Sequence, residues 1–141
     1  MSNNMAAPKL KQNFGMTLSV ELNKSATLTI FTLIDKALRS VTMTELQSQP
    51  YDYVIAANLM EVRRKLSKRV DDYLIFGGER EWKLKLTRAE ALAFDVWFHP
   101  GFETDPDTPI SLDKALIKPQ TYEYALVIKI CGMVNKQYYT N

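Results

Sequence analysis

The strongest constraint on the fold is an apolar seam that runs from residue 51 to residue 73. Its members are spaced 4, 4, 3, 4, 4 and 3 residues apart: Tyr51, Ile55, Leu59, Val62, Leu66, Val70 and Tyr73. An α-helix places side chains with this spacing on one side, whereas a β-strand alternates them between two faces. Pro50 suits the entry to a helix, and Gly77-Gly78 suits its exit. The pattern therefore predicts one long helix over residues 51–76, which would be about 39 Å long.

A second interpretation of the same segment stays open. In it, the helix stops near Arg69, residues 73–76 form a strand, and Gly77-Gly78 makes the turn of a β-hairpin. The two interpretations differ in whether the apolar seam continues unbroken to Tyr73. The continuous spacing favours the long helix.

Further patterns predict the rest of the secondary structure. Apolar and polar residues alternate over 16–22, starting at Met16, and again over 82–86, which is typical of strands with one buried face. Apolar spacings of three and four predict a helix over about 26–39. Thr87 and Glu90 have the spacing of a capping box, in which each residue satisfies a backbone amide of the other, and they predict another helix start.

Pro119 is expected to open the last helix. The predicted inner face of that helix holds Tyr122, Leu126, Val127, Ile130, Cys131 and Val134. Together these elements predict a mainly α (α+β) fold with four helices, one of them long, and a small antiparallel sheet of two or three strands. Residues 1–14 are polar and are expected to form an N-terminal arm, and residues 15–141 a single globular domain.

Composition excludes several classes of protein. Hydrophobic residues make up 46% of the chain and charged residues 24%. These are ordinary values for a globular protein, so we do not expect a chain that is disordered throughout. A net charge of +2 gives no general attraction to nucleic acid or to an anionic membrane. The most apolar stretch, residues 124–134, is too short to cross about 30 Å of hydrocarbon. We therefore expect a soluble protein with no membrane partner, located in the cytoplasm or within a particle assembled there.

Five basic residues lie close together in the predicted long helix: Arg63, Arg64, Lys65, Lys68 and Arg69. A continuous basic face can neutralise phosphates, so these residues are candidates for nucleic-acid binding. Nearby acidic residues would weaken the positive potential: Glu61, Asp71, Asp72, Glu79 and Glu81. A solvated helix face or a protein contact is therefore the other interpretation.

The order of the elements adds to the nucleic-acid hypothesis. A helix, a turn at residues 42–46, a second helix and a hairpin around Gly77-Gly78 follow one another as in a winged helix. Val41-Thr-Met-Thr-Glu-Leu46 and Lys85-Leu-Thr87 are similar to fragments of winged-helix regulators. This resemblance covers about half of the chain and implies DNA binding through the second helix. The sequence departs from the family in one respect, because a recognition helix usually starts with polar residues and this one starts Tyr51-Asp-Tyr-Val-Ile.

Catalytic and metal-binding patterns are weak in this sequence. His99 is the only histidine and Cys131 the only cysteine, which is too few for the usual zinc sites. Cys131 is predicted on an apolar helix face, where a thiol usually serves as packing. The acidic loop is interrupted by prolines and is expected to be solvated: Glu103, Asp105, Asp107 and Asp113. We expect no cofactor, no metal and no enzymatic activity; an enzyme with a site of scattered carboxylates, tyrosines or His99 is the remaining alternative.

These patterns favour a non-enzymatic binding or assembly protein. Such a protein would be a structural subunit of a multi-subunit complex, for example a virus or phage particle, and would bind protein partners or itself. A DNA-binding winged-helix-like regulator with a basic helix is the alternative. Tyr138 and Tyr139 fall outside a clear core face, so they are candidate partner-binding residues. An ordinary last helical turn is the other interpretation of these two tyrosines.

Overall fold

Four helices and two small antiparallel sheets make up the described part of the computed structural model, which covers residues 9–10, 16–41, 50–99 and 117–140. The elements in chain order are β1 (Lys9–Leu10), β2 (Leu18–Leu22), α1 (Lys24–Arg39), α2 (Pro50–Phe76), β3 (Trp82–Leu86), α3 (Arg88–Phe98), α4 (Tyr122–Tyr138) and β4 (Tyr139–Thr140). This architecture confirms the predicted fold class. The turn predicted at 42–46 lies outside the described residues.

The long helix α2 packs against α1 on one side and α3 on the other. It has 27 residues and passes through Arg69 without a break, so the alternative with a strand at 73–76 is wrong. The buried residues of its inner side are Asp52, Ile55, Ala56, Leu59, Val62, Leu66, Val70 and Tyr73. Tyr51, the predicted first member of the seam, is instead 60% exposed. In that first turn of the helix, Asp52 is the residue that is buried.

Strands β2 and β3 pair antiparallel, with Leu18 opposite Leu86 and Leu22 opposite Trp82. The alternation places one side of the pair in the core and leaves the other side exposed, as predicted. Met16 was expected on the buried side but is exposed, because the strand begins only at Leu18.

The pairing of β3 also corrects the winged-helix hypothesis. The partner of β3 is β2, which precedes α1, so within the described residues no hairpin forms around Gly77-Gly78. The two glycines instead end α2: their φ angles of 71° and 86° lie in the left-handed region, which suits glycine. The amide of Gly77 still donates to the carbonyl of Tyr73, at 3.0 Å.

Polar caps fix where the other helices begin. The Asn23 side chain accepts from the Ala26 amide at 2.7 Å and starts α1. Thr87 and Glu90 form the predicted capping box of α3. The prediction that Pro119 opens the last helix is wrong, because Thr121 supplies the cap and α4 begins at the following residue.

The start of α4 also differs from its predicted packing. Tyr122 was expected on the inner face but is exposed, because it is the first residue of the helix. From the second turn onward the predicted inner face does meet the core: Leu126 is half-buried, and the buried side chains are Val127, Ile130, Cys131 and Val134.

The two ends of the described chain meet. β1 pairs with β4 antiparallel, with Lys9 opposite Thr140 and Leu10 opposite Tyr139. β1 belongs to the segment predicted as a polar arm. The end of α4 also holds the residues before β2, since the Gln137 side chain donates to the carbonyl of Thr17 at 2.9 Å.

We expect Leu66→Ala to lower the free energy of unfolding by about 3 kcal/mol, because truncating a buried leucine leaves a cavity. Leu66 is 0% exposed, whereas Leu74 on the same helix is 74% exposed. The matched control Leu74→Ala should therefore change the free energy of unfolding by less than about 0.5 kcal/mol. Urea unfolding followed by circular dichroism measures both variants. Equal losses would contradict the placement of the buried side of α2.

Candidate functional site

Two of the five basic residues of α2 form ion pairs with neighbouring helices. Arg63 Nη1 lies 3.2 Å from Asp35 Oδ1 on α1. On the other edge of the buried side, Lys65 Nζ lies 2.6 Å from Glu90 Oε1 on α3 and also donates to the carbonyl of Lys85 at 2.9 Å. Because Glu90 is buried, its carboxylate depends on this cation and on the Thr87 amide for compensation. The charges of Arg63 and Lys65 are therefore neutralised within the fold.

A third basic residue, Arg69, packs on an aromatic ring. Its guanidinium carbon lies 4.7 Å from the ring centroid of Trp82, which is a cation–π distance. The indole Nε1 of Trp82 donates to Thr27 Oγ1 at 2.8 Å, and the Thr27 hydroxyl donates to the carbonyl of Asn23 at 2.7 Å. These contacts join α2, β3 and the start of α1, so Arg69 serves the packing of the fold.

The last two basic residues, Arg64 and Lys68, are exposed on the outer side of α2. Arg64 Nε donates to Glu61 Oε1 at 2.7 Å. This hydrogen bond is the main cause that lowers the pKa of Glu61 and raises that of Arg64. Within the described ranges Lys68 forms no ion pair, and Asp71 and Asp72 lie close by in the sequence. The outer side of α2 therefore carries both signs of charge, and nucleic-acid binding by the five residues stays a prediction.

A regular stripe of exposed residues runs along the outer side of α2, opposite the buried side. Its members are spaced 3, 4, 3, 4, 3 and 4 residues apart: Val54, Ala57, Glu61, Arg64, Lys68, Asp71 and Ile75. We call this set the outer stripe. It is apolar at both ends and charged in the middle, and its spacing is the one with which a helix meets another helix. Sequence analysis missed it because four of its seven members are charged.

The C-terminal end of α2 presents three consecutive large apolar side chains to solvent. Leu74, Ile75 and Phe76, which we call the apolar tip, are 74%, 71% and 81% exposed. The residue before them is fixed, since Tyr73 is buried and its hydroxyl donates to the carbonyl of Arg80 at 2.6 Å. Single exposed apolar residues are common on protein surfaces, but three in succession make this end of α2 a candidate interaction site.

The two tyrosines predicted to bind a partner differ in position. Tyr138 is 0% exposed, so the expectation that it lies outside a core face is wrong. The reason is helical period: α4 continues one turn past Val134, which returns the chain to the inner face. The alternative of a last helical turn is thus confirmed for Tyr138. Tyr139 is half-buried at the start of β4, and its role in partner binding stays a prediction.

Both tyrosines have raised pKa values. Burial raises the pKa of Tyr138, although the hydrogen bond with the Gln137 side chain and the charge of Arg88 act in the opposite direction. The Tyr138 hydroxyl donates to the carbonyl of Met16 at 3.0 Å. For Tyr139, burial is again the main cause, and the charge of Asp95 adds to it.

The two residues considered for catalysis by name lie on different elements, with His99 at the end of α3 and Cys131 on α4. Cys131 is buried on the inner face of α4, as predicted, and its carbonyl accepts from the Asn135 side chain at 2.8 Å. His99 is the half-buried C-cap of α3. No group of three or more His, Cys, Asp or Glu side chains among the described residues could hold a metal ion. The predicted acidic loop lies outside those residues: Glu103, Asp105, Asp107 and Asp113.

An open groove of about 500 Å³ lies between α1 and the start of α4. Its lining includes Leu33, Ile117 and Thr32. The Thr32 hydroxyl already donates to the carbonyl of Leu28 within its own helix, at 2.8 Å. Every buried side-chain nitrogen or oxygen of the described residues has a hydrogen-bond partner. Among its described lining residues, the groove therefore presents no buried side-chain nitrogen or oxygen without a hydrogen-bond partner.

No family model, curated protein or solved structure matches this chain. Among the described residues, none of the helices has both the length and the apolar character needed to cross a membrane. Among the described residues, the apolar tip and the outer stripe are the exposed surfaces that we consider as candidates for binding. Both belong to α2.

Removal of the buried ion pair should cost more stability than removal of the exposed one. Lys65→Met leaves the buried carboxylate of Glu90 without its cation, and we expect a loss of about 2 kcal/mol, less than for a fully buried pair because Lys65 is 27% exposed. Arg64→Met breaks a pair that is exposed on both sides and should leave the free energy of unfolding almost unchanged, because solvent screens such a pair. Urea unfolding at neutral pH measures the stability of both variants. An Arg64→Met loss as large as that of Lys65→Met would contradict the greater importance of the buried Lys65–Glu90 pair.

Stability should also decline at alkaline pH. Because burial raises the pKa of Tyr138, the folded state keeps a proton that the unfolded state loses above about pH 10. This contribution is complete below the unfolded pKa and disappears as the pH rises through the folded pKa. Tyr138→Phe should make the decline in melting temperature between pH 8 and pH 11 shallower, because the phenylalanine has no proton to lose. Tyr53→Phe, at an exposed tyrosine, is the control; identical profiles for both variants would refute the prediction.

Proposed function

We propose that this chain is a non-enzymatic binding and assembly protein that acts as a structural subunit of a multi-subunit complex, such as a viral or phage particle. The observation that carries the proposal is the apolar tip, where three adjacent large side chains are more than two-thirds exposed. Burying apolar surface is favourable by about 25 cal/mol per Å², so a partner that covers the tip gains binding free energy. Under this proposal the protein is located in the cytoplasm or in a particle assembled there.

The way the tip is held supports the proposal. It ends a helix of 27 residues whose opposite side is buried, so Leu74, Ile75 and Phe76 project from a fixed support. The hydrogen bond from Tyr73 to the carbonyl of Arg80 ties this end of α2 to the segment that leads into β3. A surface that is already ordered loses little conformational entropy when it binds.

The DNA-binding alternative receives less support from the same helix. Arg63 and Lys65 are neutralised by neighbouring helices, and Arg69 packs on Trp82. The other two basic residues share the outer side with three carboxylates: Glu61, Asp71 and Asp72. A surface of mixed sign neutralises few phosphates. A protein partner fits the charge and the apolar character of α2 better than a nucleic acid does.

The proposal is tested by native mass spectrometry of the protein purified from its own source, together with light scattering at high micromolar concentration. We expect the chain in a complex with itself or with another protein. Leu74→Ser combined with Phe76→Ser should weaken that complex about tenfold, because a central apolar contact dominates binding energy.

The matched control replaces exposed apolar residues on a different helix, with Tyr122→Ser and Ile128→Ser on α4. This control should leave the complex intact, and neither pair of substitutions should change the melting temperature by more than about 2 °C. A single monomeric species in light scattering, with no co-purifying protein in native mass spectrometry, would contradict the proposal.

A further inference from the structure

The outer stripe of α2 has an order of side chains that restricts what can bind it. From its N-terminal to its C-terminal end it is apolar, apolar, acidic, basic, basic, acidic and apolar. Val54 and Ile75 at its ends are separated by about 32 Å at a rise of about 1.5 Å per residue. A straight helix that binds along the whole stripe must offer apolar groups about this far apart with charges of both signs between them. The outer stripe itself meets this description.

We infer that the outer stripe of α2 binds the outer stripe of a second copy of this chain, with the two helices antiparallel. This inference rests on the proposed function, because it names the partner of an assembly protein. In the pair, Val54 faces Ile75 of the second copy. The same register places Glu61 opposite Lys68 of the second copy. Two-fold symmetry repeats each of these contacts.

Charge excludes the other simple arrangements. A parallel pair would place Glu61 against Glu61 and Lys68 against Lys68, which is unfavourable at every charged position. An antiparallel pair with Arg64 opposite Lys68 would place Glu61 against Asp71. Among these arrangements, the register with Val54 opposite Ile75 alone joins apolar ends to apolar ends and unlike charges to each other.

The charges at the centre of the pair are also compatible with the antiparallel arrangement. Arg64 lies near the two-fold axis, where it approaches its own equivalent. Each Arg64 is paired with Glu61 of its own chain at 2.7 Å, which offsets the repulsion between the two guanidinium groups. Lys65, the neighbour of Arg64, points towards Glu90 on α3 and away from the axis.

The expected contact is small. A strip about 32 Å long and one helix wide, about 10 Å, covers less than the roughly 800 Å² per partner of a standard interface. The apolar tip contributes Ile75 at both ends of this strip. The pair should therefore form in the micromolar range and depend on ionic strength.

Exchange of the facing charges tests the inference. Sedimentation of the full chain at low salt should show dimers, and Glu61→Lys or Lys68→Glu alone should weaken them about tenfold, because each places like charges opposite one another. The double variant, Glu61→Lys with Lys68→Glu, should recover association to within about threefold of the unmodified protein. The matched control exchanges Glu21 and Lys83, which are opposite each other on the exposed side of the β2–β3 pair, and should leave association unchanged.

Cysteine cross-linking tests the register. A Val54→Cys chain mixed with an Ile75→Cys chain should form a disulfide-linked dimer on mild oxidation. Either variant alone should stay uncross-linked, because identical positions are about 32 Å apart in the antiparallel pair. The native Cys131 is buried, so the unmodified protein provides the blank. Self-cross-linking of Ile75→Cys would show a parallel pair and overturn the inference.

Failure of this inference is distinguishable from failure of the proposed function. A monomer that binds no protein removes both. A complex that is insensitive to the charge exchange and gives no cross-link between positions 54 and 75 overturns the antiparallel pair. That second result leaves the assembly function in place with a different partner.

Discussion

Leu59, Val62 and Leu66 are removed from solvent where α2 packs against α1 and α3. A helix is rigid, so the burial of this side fixes the direction of every other side chain along it. Ion pairs mark the two edges of the buried side, with Asp35 beyond one edge and Glu90 beyond the other. The residues farthest from both edges form the outer stripe, which explains why its members are exposed along the whole length of the helix. The surface available for binding is thus a consequence of the core.

The remaining elements hold that helix in place without covering its outer side. The β2–β3 pair is joined to α2 through the stacking of Arg69 on Trp82, and to α1 through the hydrogen bond from Trp82 to Thr27. α4 closes the core from the other end of the chain, where the Tyr138 hydroxyl binds the carbonyl of Met16. Contacts between residues that are distant in sequence therefore hold α2 in place. The apolar tip lies past the last buried residue of that helix, where none of these contacts reaches.

Sequence patterns predicted the features that depend on local period or on short spacing. The 3.6-residue repeat predicted α2, the two-residue repeat predicted β2 and β3, and the spacing of Thr87 and Glu90 predicted the capping box. The partners of Arg63 and Lys65 are 28 and 25 residues away, and no local pattern identifies them. For that reason the basic cluster looked like one surface in the sequence, although the fold divides it among two neighbouring helices, an aromatic ring and solvent. The burial of Tyr138, in contrast, can be predicted from a local pattern, because extending the apolar period of α4 by one turn past Val134 places Tyr138 on the inner face.

The mixed character of the outer stripe has a physical consequence for the proposed pair. A wholly apolar stripe would bind more tightly, but it would accept many helices in either direction and at several registers. Charges in the middle contribute little net affinity at an exposed site, yet they penalise each wrong arrangement by placing like charges together. The apolar ends then supply the free energy of association, and Glu61 and Lys68 select its geometry. Salt screens the charges more than the apolar contacts, so the choice of register weakens before association itself is lost.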